Sequence, residues 1–163
     1  MYGNGYILME DRIMTQSTYR ATGKVIIWSI VLTVFIVLFF TGTGPGGFAH
    51  DKGRIVAVAI LFAAGYAAFF IIMGLSGKRK DGGLLRDERD ERLESRAAGI
   101  TLTVILIYVY FLSITLWAVF QDDGTVPAGW MWFLGYSTVF LGMLVHGLFT
   151  LLLATGKVGN GEG

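Results

Sequence analysis

Four carboxylates, Asp87, Asp90, Glu91 and Glu94, recur at spacings of three and four residues and would share one side of a helix. Oxygen ligands of that kind are what a hard cation takes. Arg89 and Arg92 stand among them and compete for the same oxygens, which weighs against a metal. The other chemistry open to the segment is recognition. Guanidinium forks and carboxylates at close spacing suit a partner surface of complementary charge. The candidate partner-binding residues are therefore Arg86, Asp87, Glu88, Arg89, Asp90, Glu91 and Arg92. The plainer reading is a solvated ramp beside a membrane whose arginines set topology, because exposed ion pairs of this kind contribute little to stability.

His146 is the other residue that could do chemistry, as a group that changes charge near neutral pH within an otherwise apolar stretch. The ordinary alternative is a neutral imidazole bonded to a hydroxyl such as Thr150, four residues on, or to a group on another span. His50-Asp51 offers two neighbouring ligands, too few for a metal site without help. Gly42-Thr43-Gly44-Pro45-Gly46-Gly47 fits the dinucleotide pattern GxGxxG, but it follows an apolar span where that fold needs a strand, and it contains a proline. It reads as a turn. Gly156-Lys157 lacks the hydroxyl residue and upstream glycine of a phosphate loop. No catalytic residue, cofactor site or metal site is assigned, and the near-zero net charge gives no case for direct nucleic-acid binding.

The elements that position these residues are membrane spans. Of 163 residues, 54% are hydrophobic and 15% are charged, well below the roughly 25% charge of soluble domains. Runs free of Asp, Glu, Lys and Arg cover Val25 to Ala49, Ile55 to Gly77, Ala97 to Gln121 and Gly124 to Gly156. Each exceeds the roughly 20 residues that cross a bilayer core. The expected fold is all-α: an integral membrane four-helix bundle of two hairpins, with spans at about 24–41, 54–75, 97–120 and 130–153. Residues 1–24 form a leader and 154–163 a disordered tail. Both prolines, Pro45 and Pro127, fall between spans. Without cysteine, disulfides and thiol chemistry are excluded.

Residues 78–96 hold 13 of the 25 charged residues. If both termini share a side with this segment, that side collects eleven basic residues, and the other receives only Lys52 and Arg54. The positive-inside rule then places the termini and the charged segment in the cytoplasm of a multi-pass plasma-membrane protein. Lys78, Arg79 and Lys80 fall at headgroup level, where they attract anionic lipid. From Arg86 the pattern turns helical with Asp87 as N-cap, and nothing interrupts it before the third span. That span should continue into the cytoplasm as a charged helix. In the second span Ala59, Ala63 and Ala67 recur every fourth residue, a spacing that lets helices approach closely. They serve either packing within the chain or a homodimer seam.

The string DERDERLESRAAG, entering an apolar helix after a basic loop, resembles the motif of a family of small archaeal and bacterial membrane proteins of unknown function. That family carries a DERDE-type run between two helical hairpins. The likeness covers about Val25 to Leu153 in architecture and Asp87 to Gly99 in residues. It implies no activity; an association of some members with small helix-turn-helix regulators implies a regulatory membrane partner. The spans show no acid–base pair, activated nucleophile or metal triad, so an enzyme is not expected. A membrane-anchored interaction or sensor protein, docking a cytoplasmic partner through 86–96, fits best. The alternative is a small transporter or channel-like subunit using His146 and span hydroxyls.

Overall fold

The structure, a computed structural model, describes residues 16–42, 44–77 and 88–155. Lys78, Arg79, Lys80, Arg86, Asp87 and residues 156–163 of the expected tail lie outside the described residues, whereas Ala154 closes the last helix. The order of elements is α1 (Gln16–Phe40), α2 (Gly44–Phe48), α3 (Lys52–Gly77), α4 (Glu88–Phe120) and α5 (Ala128–Ala154), with no strand among the described residues. Four of these helices are long and apolar enough to cross a membrane. The all-α membrane bundle read from the uncharged runs is therefore the fold.

Helix ends follow the polar residues. α1 begins at Gln16, about two turns before the expected entry. Thr22 uses its hydroxyl on the Thr18 carbonyl, 2.9 Å away, so these polar residues are accommodated within the helix. Asp51 caps α3: its Oδ1 accepts the Arg54 backbone N–H at 3.1 Å, and its Oδ2 meets Arg54 Nε at 3.1 Å. α4 has 33 residues and at 1.5 Å per residue is roughly 50 Å long. That exceeds a hydrocarbon core of about 30 Å, so one end must project.

Contacts between the helices are antiparallel. Trp28 meets Tyr66 of α3 and Phe140 of α5, while Phe39, further along α1, meets Phe133 and Trp130 near the start of α5. On α4, Tyr108 faces Ser137 and Phe120 faces Trp130. α1 with α3 and α4 with α5 are thus two packed hairpins, joined chiefly along α1 and α5. Among the described residues α3 and α4 make at most slight contact, and the fourth edge of a square is not packed like the other three. The starts of α1 and α4 and the ends of α3 and α5 share one side, here the terminal end; the other is the loop end.

The joining seam is aromatic. Trp28, Val31, Phe35 and Phe39 of α1 are buried with Phe48, Val58 and Phe140. Their spacing of 28, 31, 35, 39 is one helix stripe. At the loop end the expected turn contains a short helix, α2, whose Phe48 is fully buried with its ring 5.0 Å from that of Phe39.

Span two packs differently from the sequence expectation. Ala59, Ala63 and Ala67 are exposed, so they do not pack within the chain. The close approach falls instead at Gly65, where a Cβ would lie 3.1 Å from Val31 and 3.4 Å from Trp28. The bulk of the α1 side chains decides this: an indole and a β-branched residue sit opposite the glycine, where an added methyl would be tight.

Candidate functional site

At the terminal end of the bundle one polar cluster interrupts the apolar seam. Lys24 continues the buried stripe of α1 one turn before Trp28. Its stem lies over Gly147 of α5, with Cγ and Cδ each 3.1 Å from where a Cβ on that glycine would be. Glycine at 147 leaves the stem room for this path, where an added methyl would be tight. The Lys24 ammonium ends 3.2 Å from Nδ1 of His146 and 5.2 Å from the ring centre of Phe69 on α3. The latter places it over the electron-rich face of an aromatic ring. Thr150 Oγ1 lies 3.4 Å from the same imidazole nitrogen and donates to the His146 carbonyl at 2.8 Å. Glu94, on α4, acts electrostatically on both Lys24 and His146. Three of the four long helices, α1, α3 and α5, therefore contribute side chains to one site.

Hydrogen-bond chemistry links the two protonation states. An ammonium has three donors and no acceptor. With Lys24 charged, the nitrogen it meets must offer a lone pair, which makes His146 neutral with its proton on Nε2. A lysine–histidine pair of this kind positions a donor and can respond to a proton. It contains no nucleophile with a base beside it.

The sequence anticipated both kinds of partner for His146, the Thr150 hydroxyl and a group from another span, without identifying Lys24. Lys24 had been counted only among the charges that set topology. The signal available was register, since 24, 28, 31, 35 and 39 fall on one side of a helix.

Of the candidate partner-binding residues, Glu88, Arg89 and Asp90 form the first turn of α4, and Glu91 and Arg92 follow with exposed side chains. Glu94, Ser95 and Arg96 are also exposed, whereas Ala97 is fully buried. The helix therefore enters the bundle at Ala97. No group of three or more metal-ligating side chains occurs among the described residues. Asp51 is engaged as the α3 cap and His50 is exposed.

Two further features lie within the spans. Tyr108 and Ser137 hydroxyls meet at 2.6 Å and tie α4 to α5. Trp28 Nε1 is a buried donor without a hydrogen-bond partner. Near the loop end an open groove of about 390 Å³ is lined by Phe62, Met131, Trp132, Gly135, Tyr136 and Val139. Its walls are mainly aromatic and aliphatic side chains.

A protein-family profile described as "Predicted membrane protein (DUF2178)" matches residues 24–155. No curated protein and no solved structure matches the chain.

Proposed function

This chain belongs to the DUF2178 family of predicted membrane proteins, and from that premise we propose that it is a membrane-anchored interaction or sensor protein rather than an enzyme. Its addressable part is the charged start of α4, which docks a cytoplasmic, regulatory partner. The observation that carries this reading is the continuity of α4. One unbroken helix runs from Glu88 to Phe120, with Glu91, Arg92, Glu94, Ser95 and Arg96 exposed before the bundle is reached at Ala97. A rigid helix loses little conformational entropy on binding and presents its charges in fixed register. The excess of basic residues supports an orientation with the termini and this helix inside the plasma membrane. Lys78, Arg79 and Lys80 then meet anionic headgroups.

The alternative, a small transporter or channel-like subunit, has the Lys24–His146 pair in its favour. Span hydroxyls give it less support. Thr33, Thr101, Thr103, Thr115 and Thr138 each bond the carbonyl four residues back on their own helix. Hydroxyls spent in this way do not form a path across the bundle. The exposed alanines of α3 offer a surface for a second copy, which gel filtration in detergent reads directly.

The test of docking uses two double variants, Arg89→Lys with Arg92→Lys, and Asp87→Asn with Glu91→Gln. The first keeps the basic count but replaces planar forks with point charges, and the second leaves the positive-inside signal intact. Affinity purification in mild detergent should recover a partner with the native chain and lose it in both variants, with insertion unchanged. A partner retained by both leaves α4 as a topology signal only.

A further inference from the structure

We propose that Lys24 and His146 form a proton-operated latch between the first and last spans, closed while the imidazole is neutral and opened when it is protonated. The latch stands on the cluster's geometry and does not depend on the docking reading.

In the closed state Nδ1 of His146 has a lone pair facing two neighbours. Lys24 Nζ is 3.2 Å away and Thr150 Oγ1 is 3.4 Å away. Thr150 has committed its hydroxyl proton to the His146 carbonyl, at 2.8 Å. The lysine is therefore the donor to Nδ1, and the contact joins α1 to α5. A proton arriving at Nδ1 removes the acceptor. It also places a second positive charge beside the ammonium, in surroundings that screen charge poorly. Imidazole is the side chain whose unperturbed charge change lies nearest neutral pH, so His146 rather than Lys24 is the group that takes up a proton on acidification.

The surroundings determine where the lysine goes. From α3 the facing group is the Phe69 ring, which does not titrate. On α5 it is the Thr150 hydroxyl. From α4, Glu94 is the charged group that acts on both partners. A long flexible stem lets the ammonium swing away from the seam toward the interface. Opening thus breaks the α1–α5 contact at the terminal end of the bundle. The lysine stem leaves the slot over Gly147, and the seam loosens at its terminal end.

The chain has no cysteine, so single thiols report cleanly. Ala21 is buried one turn before Lys24, and Tyr19 beside it is 57% exposed. The labelling rate of Ala21→Cys, divided by that of Tyr19→Cys to cancel the reagent's own pH dependence, should rise about tenfold on acidification from pH 8 to about pH 5.5, the weight of one charge-assisted hydrogen bond. His146→Gln, whose amide oxygen can still accept from Lys24, should abolish the rise. A flat ratio in the native background overturns the latch, as does an equal rise with His146→Gln. A second measurement leaves His146 in place. With His50→Gln removing the other histidine, nitrogen NMR of the imidazole should show the Nε2–H tautomer at pH 8 and the imidazolium on acidification. An Nδ1–H tautomer at pH 8, or no titration in this range, overturns the proposal.

Discussion

The carbonyl oxygen of Pro45 occupies the space that a Cβ on Gly129 would need. This contact seats α2 on the first turn of α5 and closes the loop end of the bundle, with Phe48 buried beneath it. Backbone on one side and helix on the other leave nothing flexible to give way. Gly129→Ala should therefore cost about 1–3 kcal/mol, as overpacked sites do, read by unfolding of the detergent-solubilised protein. Gly135, one and a half turns later and open to solvent or lipid, has nothing within 4 Å of an added Cβ. Gly135→Ala is the control and should be neutral or slightly stabilising.

Tyr108 and Ser137 make a cross-helix hydrogen bond at 2.6 Å on the α4–α5 seam. Ser137 is 3% exposed, so loss of its partner leaves a buried hydroxyl with only its own helix carbonyls. Tyr108→Phe and Ser137→Ala should each destabilise, and the double variant should cost less than their sum. Coupling of about 0.5–1.5 kcal/mol is expected for a bond of this type. Strict additivity would mean that the hydroxyls do not hold the two helices together.

The four spans were legible because hydropathy and charge act residue by residue along the chain. The boundary of the projecting helix was legible for the same reason, with charge ending at Arg96 and the bundle reached at Ala97. Which face of each span turns inward was not. A helix apolar on all sides has no polar stripe to mark its exterior, and lipid provides no hydrophobic drive to bury one face over another. Small residues in span two mark a close approach within the chain or between two copies, and within the chain the seam is built from Trp28, Phe35, Phe39 and Phe140, with a glycine opposite the largest of them. Lys24 was hidden by its position. A lysine at a span entrance serves topology whether or not it points inward, and only the register with the aromatic stripe distinguishes the two.

That difference in span two is testable. Ala63→Leu with Ala67→Leu falls on an exposed face, and its effect on unfolding should stay within about 0.5 kcal/mol. Gly65→Leu forces a side chain against Val31 and Trp28, where even a Cβ is tight at 3.1 Å, and should destabilise by about 1–3 kcal/mol. Equal losses in the two variants would show that the alanine face packs within the chain after all.

Asp51 offers a last separation, between a cap and a charge. Its two oxygens do different work: Oδ1 accepts the Arg54 N–H and Oδ2 meets the Arg54 side chain, each at 3.1 Å. The guanidinium also covers Gly42, whose φ of 68° suits glycine. Asparagine caps as well as aspartate does, whereas alanine does not cap at all. If the cap is what matters, Asp51→Asn should be nearly neutral and Asp51→Ala should cost about 1 kcal/mol. Loss of the ion pair alone should add little, because both side chains keep contact with water, at 18% and 35% exposure. High salt separates the two further, since it screens charge and leaves the neutral hydrogen bond intact. The expected result is a native unfolding midpoint that barely moves with salt and an asparagine variant that follows it. A large loss on adding salt to the native protein, together with a clear destabilisation in Asp51→Asn, would instead make the ion pair the principal fastening of the loop end.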